Sequence, residues 1–89
     1  MTLHLGGNAC VLLSKIVAVL DLTNVSAAQA TKEFIQTAKD EGFVRELAEP
    51  PYKSGVLAAD KKGYVLYLSP ITASTLALRA SGAVEENNI

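Results

Sequence analysis

With 89 residues, 49% of them hydrophobic, the chain has material for one core and no room for a second. Eight Lys and Arg against nine Asp and Glu leave a formal charge of −1, which argues against a nucleic-acid binder that is basic all over and leaves room only for a local basic patch. The single cysteine, Cys10, excludes an internal disulfide, and no metal-ligand spacing accompanies it. No metal or other cofactor is therefore expected, and the reducing cytoplasm is the expected compartment.

Residues Thr2 to Leu5 alternate, with Leu3 and Leu5 on one side and His4 on the other, as a strand does. Gly6-Gly7-Asn8 follows. Such a stretch either turns the chain or cradles an anion with its backbone N–H groups. A phosphate loop leads into a helix and carries a Lys-Ser/Thr pair or a GxGxxG spacing. This one leads into the apolar Cys10 to Leu13, so a hairpin turn is expected. In that apolar run Cys10 reads as a buried structural cysteine, and His4 as a solvent-facing strand residue without metal-ligand neighbours. Ser14-Lys15 turns or bulges the chain before a third strand, Ile16 to Leu20.

The next segment has helical spacing. Ala27, Ala30, Thr31, Phe34, Ile35 and Ala38 form an apolar stripe, and Gln29, Lys32, Glu33, Gln36, Lys39 and Asp40 the polar side. Ser26 and Gln29 fit a capping box, and Gly42 fits a left-handed stop, so a helix is predicted over Ala27 to Glu41. Phe43 to Ala48 alternates as a fourth strand. Pro50-Pro51 then interrupts regular structure. Ser54 to Ala59 and Tyr64 to Leu68 read as strands joined by the turn Asp60-Lys61-Lys62-Gly63. Ser69 as N-cap and Pro70 at the first helical position predict a second helix reaching about Ala80, ended by Gly82. Residues 1–82 thus form a single domain, and the acidic, amide-rich 83–89 is expected to be a disordered tail. The order β-β-β-α-β-β-β-α makes this an α+β domain with a small, largely antiparallel sheet.

Two strands look apolar on both sides. Ile16, Ala18 and Leu20 are expected on one face with Val17 and Val19 on the other, and Tyr64, Leu66 and Leu68 oppose Val65 and Tyr67. Two helices cover about one face of such a sheet, so a second copy of the chain is expected on the other. The longest apolar run, Val11 to Leu22, contains Ser14, Lys15 and Asp21 and is too short to span a bilayer. No signal peptide and no membrane contact are expected.

Catalytic chemistry finds little footing. Asp21 and Asp60 end strands in ordinary turn positions, and one histidine without a nucleophile or a paired carboxylate makes no acid–base or nucleophilic constellation. The basic loop residues are more informative. Lys15 precedes the third strand, Lys53 follows Pro50-Pro51-Tyr52, and Lys61 and Lys62 tip the last hairpin; all are expected to be exposed. Single ammonium groups bind phosphate weakly, but copies of the chain repeat them, and their contributions accumulate.

The stretches "LHLGGNACVLLSKIVAVLDL" and "KSGVLAADKKGYVLYLSPITASTLALRA" together resemble the bacterial RemA/RemB family of extracellular-matrix regulators, and the RemB branch most closely. The resemblance spans roughly residues 2 to 80, with "HLGG", "KIVAVLDL" and "YLSPITASTLALRA" its most specific parts. It implies a LytTR-like α+β domain, a non-enzymatic regulator of biofilm-matrix and osmoprotection genes, DNA binding, and dimers assembled in rings. In RemA-like chains arginines before the third strand and before the fifth are linked to DNA contact. Those positions match Lys15 and the Pro51-Tyr52-Lys53 region here. Lysine contacts phosphate but lacks the guanidinium fork that reads guanine, so backbone-directed binding to double-stranded DNA is what the match implies. Tyr52 offers a ring for stacking on a base or sugar, with packing on the proline pair as the competing expectation. A scaffold that co-assembles with a more basic RemA-like paralogue, without touching DNA, is the alternative.

Overall fold

The computed structural model describes residues 1–23 and 28–82. The proposed cap at Ser26, the first predicted helical residue Ala27 and the tail 83–89 lie outside the described residues.

Strands β1 (Thr2–Gly6) and β2 (Ala9–Leu12) form a two-stranded antiparallel hairpin. A 3₁₀ turn, Leu13–Lys15, leads into β3 (Ile16–Asp21). Helix α1 (Ala28–Asp40) precedes the short β4 (Val44–Glu46); β5 (Ser54–Asp60) and β6 (Gly63–Ser69) follow, and α2 (Ala73–Ser81) closes the described fold. The second sheet has the order β3-β5-β6-β4. Its β3–β5 and β5–β6 ladders are antiparallel and β4–β6 is parallel, because the chain crosses through α1 before it reaches β4. The α+β class and the mainly antiparallel pairing match the sequence expectation, with this one parallel ladder added. No helix among the described residues is long and apolar enough to cross a membrane.

Both faces of the four-stranded sheet are covered within one chain. On one face Val56 and Ala58 pack with Leu3, Leu5 and Val11 of the hairpin and Leu76 of α2, joined by Ile16, Val19 and Tyr67. On the other, Leu66 and Leu68 pack under Ala38 of α1, joined by Ile35, Phe43, Val44, Tyr52 and Leu57. The face for which the sequence suggested a second copy carries the β1–β2 hairpin and α2 of the same chain. The hairpin folds across the sheet instead of extending it, and it supplies the missing layer.

A bulge corrects the faces of β3. Ile16 pairs with Ala58 and Ala18 with Leu57, so Val17 is an extra residue without a partner on β5. Ile16 consequently shares a face with Val19, not with Ala18 and Leu20. Val17 stands 56% exposed.

Helix α1 ends as its sequence predicts. Gly42 adopts φ +81°, its N–H donates to the Lys39 carbonyl, and the Phe43 N–H donates to the Ala38 carbonyl. The start of α2 differs from expectation. Its N-cap is Thr72, whose Oγ1 accepts from the Thr75 N–H at 3.2 Å. Ser69 is the last residue of β6, and its buried hydroxyl donates to the Leu5 carbonyl at 2.5 Å and accepts from the Ile71 N–H at 3.0 Å. That tertiary bond takes Ser69 away from capping and moves the helix start beyond Pro70.

Candidate nucleic-acid interface

Each predicted contact residue is positioned by a turn or a strand end. Lys15 closes the 3₁₀ turn, whose geometry is held by the Ile16 N–H donating to the Leu13 carbonyl. It is half-buried rather than fully exposed as expected; a lysine can bury its methylenes and still present its ammonium to water. Lys61 and Lys62 tip the β5–β6 turn and are exposed. There the Asp60 Oδ1 accepts from the Lys62 N–H at 2.7 Å, and Gly63 takes up φ +129°. Lys53 lies directly before β5, exposed, its own N–H donating to the Ser69 carbonyl and its carbonyl accepting from the Leu22 N–H.

Strand register decides which of these residues meet. Ile16 pairs with Ala58, so Lys15 lies at the end of the sheet where β5 turns through Lys61 and Lys62. Their backbones fall within roughly 10 Å, comparable to the screening length at physiological salt. Asp21 pairs with Ser54, which sends Lys53 to the opposite end, about 20 Å from Lys15 at strand rise. The structure therefore brings Lys15, Lys61 and Lys62 together, with Asp60 among them, and separates Lys53 from all three.

Tyr52 is engaged in the fold. Its hydroxyl donates to Glu46 Oε1 at 2.8 Å, and its ring packs against the Ala38–Leu66–Leu68 cluster. The proline pair beside it contains a cis peptide bond, Pro50-Pro51. Partial burial, then the bond to Glu46 and the negative charges of Glu46 and Glu49, raise the phenol above the ordinary tyrosine value of 10.0. The Lys53 end is accordingly flanked by carboxylates, whereas Lys15, Lys61 and Lys62 have Asp60 as the acid in their own turn.

Two expectations near the N-terminus resolve differently. Gly6 and Gly7 both have positive φ and turn the β1–β2 hairpin, and the Gly7 carbonyl lies 2.9 Å from His4 Nε2. His4 is exposed, as expected. Cys10 is exposed as well, contrary to the buried reading. It pairs with His4 on the outer face of the hairpin, while Leu3, Leu5 and Val11 take the inner face. The apolar run around Cys10 hid this alternation.

Asp21 has more structure than a generic strand end. Its Oδ1 accepts from both the N–H and the hydroxyl of Thr23, at 2.9 and 2.6 Å, and these bonds hold its carboxyl below the ordinary value of 3.8. A fixed negative charge thus marks one end of β3 and Lys15 the other. The Asp-x-Thr spacing was the available signal for it. Among described residues no group of three or more His, Cys, Asp or Glu could hold a metal ion. No protein-family model and no curated protein matches this chain.

Proposed function

We propose that this chain is a non-catalytic, DNA-associated regulator of the RemA/RemB type, acting in the cytoplasm as a homo-oligomer. The observation that supports it is the convergence of Lys15, Lys61 and Lys62 at one end of the sheet. Three ammonium groups on a rigid strand–turn frame suit the phosphate backbone of a duplex, which presents charge at regular intervals. Nothing in such a frame demands a particular base, so binding is backbone-directed and the target sequence matters little. Fluorescence anisotropy with a short labelled duplex tests this. Binding weakens steeply with salt, and Lys15→Glu combined with Lys61→Glu and Lys62→Glu removes it while the fold is kept.

The acidic setting of Tyr52 and Lys53, with Glu46 and Glu49 nearby, favours a second reading. In it the chain is a scaffold that docks on a more basic paralogue and leaves DNA to that partner. Retention by the paralogue, with no duplex binding by the chain alone at low salt, distinguishes it.

A further inference from the structure

His4 and Cys10, the single histidine and the single cysteine of the chain, stand opposite one another in the β1–β2 ladder. The class of that pair follows from the hydrogen bonds. The Leu13 N–H donates to the Met1 carbonyl, which makes Met1–Leu13 a hydrogen-bonded pair. Pairs alternate from there, so Thr2–Leu12 is non-bonded, Leu3–Val11 bonded and His4–Cys10 non-bonded. In a non-bonded pair the Cα atoms lie about 4.5 Å apart and the side chains approach most closely. Both residues are exposed on the outer face of the hairpin, open to a solute.

The His4 ring is already oriented. Its Nε2 lies 2.9 Å from the Gly7 carbonyl, and a carbonyl only accepts, so Nε2 carries the proton. In the neutral ring Nδ1 is then the free base. An imidazole that donates one N–H to a backbone carbonyl and offers its other nitrogen has the arrangement of a metal-ligating histidine. The strand beneath it is tied to α2, where Arg79 Nη1 donates to the His4 carbonyl at 3.3 Å.

Two donors select the ion. Among described residues His4 and Cys10 belong to no group of three or more such ligands, whereas zinc takes four. A thiolate and an imidazole nitrogen suit Cu(I), a soft closed-shell ion that two ligands in line satisfy. Charge agrees with this choice. Cu(I) replaces the thiol proton, so the site gains no net charge near the Arg79 guanidinium, and a divalent ion would add one.

We propose that Cys10 Sγ and His4 Nδ1 form a two-coordinate Cu(I) site on the outer face of the hairpin. Binding makes one S–Cu and one N–Cu bond, releases the Cys10 thiol proton to solvent and changes no oxidation state. The site stands on the hairpin alone and does not depend on the DNA reading.

Anaerobic titration of the reduced full chain with Cu(I), in competition with a colorimetric Cu(I) chelator, tests it. The wild type takes up one Cu(I) per chain. Cys10→Ser abolishes uptake, and His4→Gln weakens it about tenfold or more. Glutamine keeps an N–H for the Gly7 carbonyl and lacks the ligating ring nitrogen, and an unchanged circular dichroism spectrum shows that the fold is kept. X-ray absorption at the copper edge shows one sulfur and one nitrogen neighbour, and nitrogen NMR shows His4 Nδ1 moving on loading. Uptake indifferent to His4→Gln, a copper bound by two sulfurs, a shift at Nε2 in place of Nδ1, or retention of Zn(II) in preference to Cu(I) overturns the proposal.

Discussion

Ser54 and Ser69 lie opposite one another on β5 and β6, both sealed from solvent, and their hydroxyls tie down separate pieces of backbone. Ser54 donates to the Ile71 carbonyl at 2.6 Å, and Ser69 donates to the Leu5 carbonyl. Leu5 sits at the irregularity in the β1–β2 ladder, between the His4–Cys10 and Gly6–Ala9 pairs, and its carbonyl accepts from Ser69 there. This pair of serines fastens the hairpin and the entry to α2 onto the sheet.

Ser69→Ala removes the buried hydroxyl that donates to the Leu5 carbonyl and accepts from the Ile71 N–H, and is expected to cost about 1–3 kcal/mol. Ser69→Thr keeps a hydroxyl and loses less wherever the extra methyl can be housed. Urea denaturation, read as a shift of midpoint at constant slope, checks both.

Gly6 is the second fastening. It holds φ +113°, and a Cβ there would meet Pro70 Cδ at 3.1 Å and Cγ at 3.2 Å, in a ring that cannot swing aside. Gly42 also has positive φ, but nothing lies within 4 Å of its would-be Cβ. Gly42→Ala should lose about 1 kcal/mol from backbone strain alone. Gly6→Ala carries that strain and the collision together, and thermal or urea unfolding should rank it the more damaging.

Much of this architecture is legible in the residues. The stripe through Ile35 and Ala38 marks α1, and Gly42 marks its end, because both signals are local. The Asp60–Gly63 turn is local too. What escaped is tertiary. Ser69-Pro70 has the look of a helix start, but the hydroxyl is claimed by Leu5, far away in sequence. The bulge at Val17 depends on pairing with Ala58 and Leu57, which no alternation reveals. The separation of Lys53 from Lys15 follows from the same register, so neither lysine's neighbourhood could be read from its own segment.

Tyr52 gives a pH signature. In the folded chain its neutral form is favoured, first by partial burial and then by Glu46, so its pKa lies above the ordinary 10.0. The resulting contribution to stability is fully present below about pH 10, the unfolded value, and is lost as the pH rises through the folded one. Glu46→Gln removes the negative acceptor. The Tyr52 phenolate absorbance, isolated by difference against Tyr52→Phe, should then appear at lower pH than in the wild type. No movement on Glu46→Gln contradicts the assigned bond.

The lysines separate by position. Lys15→Glu and the pair Lys61→Glu/Lys62→Glu should each weaken duplex binding about tenfold or more and flatten its salt dependence by roughly one phosphate per lysine lost. Lys53→Glu should weaken it less, because Lys53 lies at the opposite end of the sheet from the other three lysines. An equal loss from Lys53→Glu would mean that both ends of the sheet contact the duplex.

The measurement that bears most directly on the account is a titration of a labelled duplex with the wild-type chain at about 50 and about 200 mM salt, with the solution mass recorded alongside. The account predicts a complex at the lower salt, formed by a homo-oligomer. Its affinity falls at least tenfold at the higher salt, as release of several counterions requires. A duplex left unbound by the wild-type chain at the lower salt, or an affinity that salt does not change, contradicts it.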